Sequence, residues 1–341
     1  PLWSRGLGDV YKRQIKDIPQ VGFGLWKVPK DVCSATVFKA IELGYRHLDS
    51  ASDYGNEKEV GQGIKAALEK GLCTREELWI TSKLWNTYHH PDHVQPALDK
   101  TLQDLQLDYL DLYMIHFPIS LKFVPFEKRY PPEWFNDPDS PEPKMISSRV
   151  PLSETWQAME SLKEENLTKH IGVCNYSSGL LHDLMNYCET KPEILQIESH
   201  PYLTQEKLIR LAKDYGLEVT AFSPLGSISY EELGGAEESE SILKNETVQL
   251  ISKDLGITPA QLILGWGLNR GTSIVVKSTN EIRMKENLAA SRIQLQQSII
   301  DKISALNENK RYNDPGIFCE DAFNTFSVSY THLRAHETRE D

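Results

Sequence analysis

Residues 78–116 read LWITSKLWNTYHHPDHVQPALDKTLQDLQLDYLDLYMIH. The two ends of this segment, Leu78–Leu84 and Leu110–His116, are almost continuously apolar, which is typical of strands covered on both faces of a sheet. Four apolar residues recur between them at the spacing of one helix face: Val94, Leu98, Leu102 and Leu105. The segment therefore predicts two parallel strands joined by an amphipathic helix.

The same alternation of apolar runs and amphipathic segments extends in both directions and forms eight strand-helix units. The predicted strands are Val21–Leu25, His47–Ser50, Leu78–Leu84, Leu110–His116, His170–Asn175, Ile194–Ser199, Glu218–Ser223 and Ser273–Ser278. Eight parallel strands with helical crossovers in ~300 residues favour an α/β fold of the closed (β/α)8 type, the TIM barrel. A doubly wound open sheet is the alternative.

The second predicted helix contains GQGIKA at Gly61–Ala66, which resembles a dinucleotide-binding fingerprint. Because this run lies inside an amphipathic helix that ends at Gly71, we interpret it as a false match. Two connections, Phe117–Leu152 and Leu225–Leu243, are too long to be simple turns. Both follow the carboxyl end of a predicted strand, where a barrel carries its chemistry, so we expect pocket walls or lids; solvated insertions are the alternative.

The composition disfavours several classes of partner. The chain has 341 residues with 37 Lys+Arg against 49 Asp+Glu, a net charge of −12, and no basic run that could follow a phosphate backbone. Its five cysteines lack a C-x-x-C spacing, which disfavours a disulfide framework and a zinc site. No stretch approaches the ~20 apolar residues of a membrane helix. We expect a cytoplasmic protein that binds no nucleic acid, membrane or metal.

The two ends of the chain differ from the regular pattern between them. Residues 1–14, PLWSRGLGDVYKRQ, and 328–341, VSYTHLRAHETRED, show neither helical nor strand periodicity. We interpret both as non-native segments derived from adaptor or vector sequence, and natural disordered tails are the alternative. Residues 15–327 are then predicted to form one domain.

Four polar side chains lie at or just beyond the carboxyl ends of successive predicted strands: Asp49, Tyr54, Lys83 and His116. Each alone could be structural, but a barrel would bring all four to one mouth. A phenol ordinarily has a pKa of about 10, so Tyr54 needs a neighbouring ammonium to donate its proton readily. We predict that Lys83 lowers the pKa of Tyr54 and that Asp49 keeps Lys83 protonated. With His116 orienting a carbonyl oxygen, the set is suited to protonate an alkoxide during hydride delivery.

Six segments, in order over almost all of residues 20–315, resemble the aldo-keto reductases: GYRHLDSASDYGNEKEVG, LWITSKLWN, YLDLYMIHFP, HIGVCNYS, ILQIESHPYL and VVKSTNEIRMKEN. The resemblance implies a (β/α)8 barrel in which nicotinamide hydride reduces a carbonyl. It also implies a catalytic tetrad of Asp49, Tyr54, Lys83 and His116, with the tyrosine as proton donor.

The last of these segments places four side chains around a helix N-terminus: Lys277, Ser278, Thr279 and Arg283. Helix amides favour an anion there, and two cations with two hydroxyls suit a phosphate dianion better than ribose hydroxyls. In similar reductases these positions bind the 2′-phosphate, and Glu286 and Asn287 match adenine contacts. Lys244 replaces a glutamate of dual-specificity xylose reductases. We predict NADPH as cofactor, with NADH weaker; a solvated, charged helix start is the alternative.

By the same resemblance, residues after the fifth to seventh strands hold the nicotinamide. Where the family usually has Ser-Asn, Gln and Tyr, this chain has Cys174-Asn175, Gln196 and Phe222. Asn175 and Gln196 can bond the carboxamide, whereas Phe222 keeps a ring face but loses the hydroxyl, so we expect somewhat weaker cofactor binding. The other implied cofactor contacts are Gly24, Trp26, Ser223 and Leu225.

The resemblance also implies a substrate pocket with an aromatic wall and two positions that bond sugar hydroxyls in xylose reductases, Asp53 and Asn313. The implied substrate contacts are Trp26, Asp53, Trp85, His116, Phe117 and Asn313. KFVPFEKRYPPEWF at 122–135 is similar to the same subgroup. Buried polar groups favour hydroxylated substrates, so we predict an open-chain aldose such as xylose, reduced to its polyol. The alternative for Asp53 is a turn residue.

Three alternatives stay open at this point. One is a general aldehyde reductase. Another is a sugar-phosphate reductase, for which the loop after the fourth strand offers four basic residues: Lys122, Lys128, Arg129 and Lys144. The third is a barrel that binds NADPH without turnover as a regulatory subunit, and the complete tetrad argues against it. The sequence selects neither a monomer nor a homodimer.

Overall fold

Eight parallel strands close into a barrel in the computed structural model, which describes residues 18–315. The strands are β1 Val21–Gly24, β2 His47–Asp49, β3 Trp79–Leu84, β4 Leu110–Ile115, β5 Thr168–Cys174, β6 Ile194–Glu198, β7 Glu218–Phe222 and β8 Ser273–Val276. Each pairs in parallel with the next, and β8 closes the barrel by pairing with β1. The predicted (β/α)8 barrel is confirmed, and the doubly wound sheet is excluded. The segments predicted to be non-native, 1–14 and 328–341, lie outside the described residues.

The helices cover the outside of the barrel, and the last two of them follow β8. They are α1 Lys30–Glu42, α2 Glu57–Glu69, α3 Pro91–Leu105, α4 Leu152–Glu164, α5 Ser178–Tyr187, α6 Glu206–Asp214, α7 Glu246–Leu255, α8 Pro259–Asn269, α9 Glu281–Ala289 and α10 Gln297–Ser304. Within residues 18–315, none of them combines the length and the apolar character needed to cross a membrane.

Helix α3 forms as its sequence predicts. It begins at Pro91, whose fixed φ suits a first helical position, and the side chain of His90 accepts a hydrogen bond from the amide of Asp92. The four apolar residues of its predicted stripe are all buried. The helix ends where Gln106 turns into the left-handed region at φ 56°. Amphipathic spacing and end signals together therefore fix this helix.

The run at Gly61–Ala66 lies inside α2, so the interpretation as a false cofactor motif is confirmed. A Cβ atom at Gly61 would lie 2.6 Å from the backbone oxygens of Asp104 and Leu105 in α3. One at Gly63 would lie 2.6 Å from the oxygen of Ser34 in α1. The two glycines therefore serve close helix packing.

Both long connections leave the carboxyl end of the barrel. The first joins β4 to α4, and its residues Leu121 and Met145 form a small buried cluster of their own. The second, residues 226–244, is called the β7 loop below and consists of successive 3-10 turns. Lys27, just after β1, bonds Glu232 of this loop at 2.7 Å and the Ser229 carbonyl at 3.1 Å. The β7 loop is thus tied across the barrel mouth.

Candidate active site

The barrel brings the four predicted tetrad residues to one end. Asp49 is the last residue of β2, Lys83 lies in β3, and His116 directly follows β4. Tyr54 follows β2 in a single 3-10 turn. Asp49, Lys83 and His116 are buried, whereas Tyr54 is partly exposed. Tyr54 is therefore the tetrad residue with the most exposed surface.

The Lys83 ammonium links the tetrad. It donates to Asp49 Oδ1 at 2.6 Å, to the Ser50 carbonyl at 2.7 Å and to the Tyr54 hydroxyl at 3.2 Å. The Tyr54 ring meets the imidazole of His116 edge to face, with centroids 5.9 Å apart. Tyr54 therefore has both the ammonium and the imidazole as direct neighbours.

The electrostatics of the tetrad agree with the predicted effects of Asp49 on Lys83 and of Lys83 on Tyr54, and they add a larger effect of burial on Tyr54. Burial opposes the charged lysine, but Asp49 and Tyr54 outweigh it and hold the pKa of Lys83 above its ordinary value. As predicted, the charge of Lys83 and its hydrogen bond act to lower the pKa of Tyr54, but they do not set the net direction of the shift. Burial is the larger effect and raises the pKa of Tyr54, although Lys83 opposes it. The resting phenol is thus protonated at neutral pH.

His116 is held in its neutral form. Burial, helped by the charge of Lys83, places the pKa of His116 well below its ordinary value. Its Nδ1 is buried and has no hydrogen-bond partner among the described residues. A neutral imidazole offers one N–H donor, which is what orienting a carbonyl oxygen requires.

Aromatic side chains flank His116 on one side of the mouth. Trp85 packs edge-on against His116 with centroids 5.2 Å apart, and Phe117 stacks on the same ring at 4.8 Å. Trp134, which the sequence analysis did not single out, lies 4.8 Å from Trp85 and 5.0 Å from Phe117. It belongs to a loop without periodicity, and only its aromatic character could have marked it.

Trp26, a predicted contact, belongs to a second aromatic group. The other two members of this group, Tyr230 and Tyr312, were not predicted from the sequence. The Trp26 ring lies 5.7 Å from Tyr230 of the β7 loop, and Tyr230 stacks on Tyr312 at 5.9 Å. The Tyr230 hydroxyl also shares a hydrogen bond of 2.9 Å with Ser223 Oγ. Chiefly burial, and then the charge of Glu198, raises the pKa of Tyr230, and Tyr54 adds a smaller contribution. This second group therefore lies beside the tetrad.

The two predicted sugar contacts differ in character. Asp53 is half-buried beside Tyr54, and burial, with a smaller contribution from Glu133, raises its pKa to about 7. The Asn313 side chain lies beside the Tyr230 phenol and opposes the rise in its pKa. Its amide oxygen is buried and has no donor within residues 18–315. An unpaired buried acceptor is costly, so a ligand hydroxyl would be favoured there.

The two amides predicted to hold the nicotinamide carboxamide are joined to the tetrad. Asn175 Nδ2 donates to the His116 carbonyl at 2.9 Å, and Gln196 Nε2 donates to Asp49 Oδ2 at 2.7 Å. An amide NH2 has two donors, so each retains one. Cys174 Sγ lies 3.8 Å from Gln196 Oε1, a weak contact. Both amides are therefore oriented by groups that also shape the catalytic end.

The other predicted nicotinamide-side contacts lie at strand ends around the same opening. Phe222 ends β7 and is half-buried, and Ser223 follows it with φ 47°. Gly24 ends β1, where a Cβ atom would lie 3.0 Å from Val275. Leu225 directly precedes the β7 loop. These positions form one rim of the mouth.

The predicted phosphate site lies at the start of α9. Asn280 caps this helix by accepting from the Arg283 amide at 3.1 Å, and Ser278 Oγ accepts from the Asn280 amide at 3.1 Å. Lys277, Thr279 and Arg283 are exposed, Glu286 is half-buried and Asn287 is buried. The start of this helix therefore presents two cationic side chains at the surface.

Two lysines in this region would influence the binding of an anionic ligand. Partial burial of its ammonium group and then the charge of Lys27 lower the pKa of Lys277, so the two cations disfavour each other's charged forms. Lys244 is exposed and pairs with Glu238 at 2.6 Å within the β7 loop. An anion beside Lys277 would relieve the first repulsion, whereas Lys244 already has a partner.

The four basic side chains that would suit a sugar-phosphate substrate either bond groups of their own loop or are exposed at the surface. Arg129 donates to two backbone carbonyls of its own loop. Lys144 pairs with Glu142 at the surface, and Lys122 and Lys128 are exposed. Among the described residues, the cations of the loop after β4 therefore do not converge on a common site for an anion.

Comparison with known proteins agrees with this geometry. The model of the Aldo/keto reductase family matches residues 20–308. An NAD(P)H-dependent D-xylose reductase of Kluyveromyces lactis is 42% identical over 313 residues, covering 91% of this chain and 95% of the relative. An NADPH-dependent D-xylose reductase of Candida boidinii is 45% identical over 301 residues, covering 87% and 92%.

An aldose reductase and a solved structure extend the comparison. An NADPH-dependent aldose reductase of Saccharomyces cerevisiae is 44% identical over 315 residues, covering 91% of this chain and 96% of the relative. The structure of the aldose reductase from Schistosoma japonicum superposes with a TM-score of 0.80 at 34% identity, covering 93% of this chain and 96% of that chain. The resemblance predicted from the six segments is confirmed, and the chain belongs to the aldo/keto reductase family.

Proposed function

We propose that the protein reduces an open-chain aldose of the xylose type to its polyol, with NADPH as hydride donor and Tyr54 as proton donor. The observation that carries the proposal is the Lys83 ammonium, which bonds Asp49 at 2.6 Å and the Tyr54 hydroxyl at 3.2 Å. Such an arrangement serves a phenol that must release a proton and be reprotonated. The relatives named above are D-xylose and aldose reductases, and they support the same reaction.

The proton step follows from the charges around Tyr54. Burial keeps the phenol protonated before reaction, so the donor form is present at neutral pH. As negative charge grows on the substrate oxygen, the phenol hydrogen moves to it, and the phenolate that remains is stabilised by Lys83. Asp49 fixes the lysine, and neutral His116 donates a hydrogen bond that orients the same oxygen.

The residues present fit NADPH, which when bound supplies the hydride that the carbonyl carbon receives. Asn175 and Gln196 each retain an amide donor for the carboxamide, and Phe222 offers a ring face for stacking. The repulsion between Lys27 and Lys277 would be relieved by a phosphate.

At the other end of the cofactor, the exposed Arg283 at the α9 N-terminus suits the additional 2′-phosphate. Lys244 favours the same anion, although its pairing with Glu238 moderates the effect. We therefore propose that kcat/KM for NADPH exceeds that for NADH. Equal values would contradict the preference.

The substrate class is supported by two polar groups beside the aromatic wall. The Asp53 carboxyl and the unpaired Asn313 oxygen can bond sugar hydroxyls, and an aldehyde without hydroxyls would leave them unpaired. The engaged cations of the loop after β4 support an uncharged aldose over a sugar phosphate. The complete tetrad supports turnover over a purely regulatory subunit.

The location in the cell is proposed on separate grounds. Within residues 18–315 the structure has four unpaired thiols: Cys33, Cys73, Cys174 and Cys188. Free thiols are typical of a reducing compartment. We therefore propose the cytoplasm.

A substrate panel tests the proposed function. Initial rates with xylose, arabinose, glyceraldehyde, butanal and a sugar 6-phosphate are measured with NADPH and with NADH. We expect kcat/KM to be highest for a pentose with NADPH. Tyr54→Phe should abolish turnover while NADPH still binds, because the ring remains and only the proton is lost. A higher kcat/KM for the sugar phosphate or for butanal would overturn the aldose proposal, and undiminished turnover by Tyr54→Phe would overturn the assigned proton donor.

A further inference from the structure

Glu198, the last residue of β6, is a fully buried carboxylate that takes no part in the proton step described above. In the barrel it is in register with Phe222 of β7. A buried carboxylate is costly unless several donors surround it. The identity of those donors therefore indicates what the charge is for.

Two of the donors are backbone amides of the segment that follows α10. The Tyr312 amide donates to Glu198 Oε1 and the Asn313 amide to Oε2, both at 2.9 Å. His200 Nε2 lies 2.9 Å from Oε1, and the Arg311 guanidinium lies 3.9 Å from Oε2. Each carboxylate oxygen thus holds one of two successive residues, which fixes the orientation of the peptide between them.

The residues held in this way face the mouth. Asn313 carries the buried amide oxygen that has no donor among the described residues, and its side chain lies beside the Tyr230 phenol. Tyr312 stacks on Tyr230 at 5.9 Å. Lys310, just before them, pairs with Glu240 of the β7 loop. A change in the backbone at 312 and 313 would therefore move the acceptor that the proposed function assigns to a sugar hydroxyl.

We propose that Glu198 is a positioning residue that sets selectivity for hydroxylated aldehydes by fixing the backbone of Asn313. The inference rests on the proposed function, in which Asn313 bonds an aldose hydroxyl. It assigns no chemical step to Glu198. It predicts that the carboxylate influences the KM of substrates with hydroxyls and leaves substrates without them unaffected.

The test uses Glu198→Gln, which keeps the size of the side chain but turns a donor toward one of the two backbone amides. A hydrogen bond to a charged group is worth enough that we expect the KM for xylose to rise by about tenfold or more. The kcat with xylose and both constants for butanal should change by less than about threefold, because the tetrad is untouched. In an Asn313→Ala background the same change should have little further effect on xylose.

Glu160→Gln is the matched control. Glu160 is also a buried carboxylate, and it accepts from the backbone amides of Glu189 and Thr190 at 2.8 and 2.6 Å. It lies in α4, and its third donor is the indole N–H of Trp156 in the same helix rather than a tetrad residue. We expect a comparable fall in Tm with an unchanged ratio of xylose to butanal kcat/KM. An equal loss of xylose selectivity in this control would overturn the proposal.

Hydrogen exchange separates the inference from the function on which it rests. Peptides covering 307–315 should exchange faster in Glu198→Gln than in the unmodified enzyme, with or without substrate. Unchanged exchange would overturn the positioning role and leave aldose reduction intact. Faster exchange with an unchanged KM for xylose would show that the backbone is held but that Asn313 does not bond the sugar, which overturns the selectivity role.

Discussion

Replacement of Lys83 by methionine tests the central argument about the proton donor. The substitution keeps an unbranched side chain in β3 but removes the ammonium that bonds Asp49, the Ser50 carbonyl and the Tyr54 hydroxyl. Tyr54 would remain protonated at rest. Its phenolate, formed when the proton leaves, would lose its only close cation among the described residues. The substitution should therefore slow proton donation rather than prevent cofactor binding.

The size of the effect follows from the distance of 3.2 Å between Lys83 Nζ and the Tyr54 hydroxyl. With an effective dielectric constant of about 20, two unit charges at this distance interact by about 5 kcal/mol. That energy corresponds to a pKa difference of about four for the phenol. Only part of it is expressed when the proton is half transferred, so we expect kcat, and with it the single-turnover rate, to fall by about 10²- to 10³-fold.

The assay is the single-turnover rate of NADPH oxidation with saturating xylose, with NADPH affinity and Tm measured on the same samples. Lys83→Met leaves the buried Asp49 without its cation, so the double variant Lys83→Met/Asp49→Asn is measured beside it to remove that charge. Lys100→Met is the control. Lys100 also pairs with an aspartate, Asp104, and lies 4.7 Å from a tyrosine ring centroid, that of Tyr130.

The reasoning would be refuted by a kcat for Lys83→Met within tenfold of the unmodified enzyme. It would also be refuted by an equal loss in Lys100→Met, because that lysine has the same kinds of neighbour away from the tetrad. A loss of NADPH affinity that accounts for the whole effect would show that the ammonium organises the cofactor site instead. The double variant separates the effect of leaving the Asp49 carboxylate unpaired from the effect of losing the Lys83 ammonium.

Three further outcomes follow from the structure. Because burial raises the pKa of Asp53 to about 7, its carboxylate forms as the pH rises through about 7. The KM for xylose should therefore fall over that pH range in the unmodified enzyme and stay constant in Asp53→Asn. Initial rates measured at several pH values test this expectation. Arg283→Ala should raise the KM for NADPH by about tenfold and leave that for NADH unchanged, and a parallel rise for both would contradict the phosphate assignment. Glu232→Gln breaks the ion pair of 2.7 Å with Lys27 and should speed NADPH release by about two- to fivefold in stopped-flow fluorescence; an unchanged rate would show that the pair does not restrain the β7 loop.

The barrel could be predicted because its determinants are local. Apolar runs and helical stripes alternate through the described chain, and the stripe of α3 is buried as its spacing requires. The predicted strand bounds fail by one or two residues, chiefly at the mouth. Ser50, His116 and Asn175 follow their strands instead of ending them. These residues leave the sheet where the backbone begins to turn over the pocket, and no periodicity marks that point.

Site residues could be predicted where they lie in or at the ends of strands. They could not be predicted where their role depends on contacts with residues far away in the sequence. Asp49 and Lys83 follow from their places in adjacent strands. Glu198 bonds the amide of Tyr312, which lies 114 residues further along the chain, so no local pattern reveals the pair. Trp134 lies in a loop without a repeat. In each case the missing information is which loop returns to the mouth.

The direction in which the pKa of Tyr54 shifts could not be predicted for a similar reason. The sequence shows that a cation is near the phenol, but the loss of hydration depends on everything that packs around it, and this is the larger effect. A raised pKa does not weaken the mechanism. Proton donation needs a phenol that is protonated before reaction and a phenolate that is stabilised after it. Burial secures the first condition, and Lys83 supplies the second.

Asp49 connects this proton donor to the cofactor position. One of its oxygens bonds Lys83 at 2.6 Å and the other accepts from Gln196 at 2.7 Å. The sequence assigns Asp49 to the lysine and Gln196 to the nicotinamide, as though the two were separate. Because they share one carboxylate, the orientation of the Gln196 amide and that of the Lys83 ammonium constrain each other. A weak contact from Cys174 to Gln196 then leaves Asp49 as the main anchor of that amide, so one aspartate positions both the lysine beside Tyr54 and the amide that the proposed function assigns to the nicotinamide.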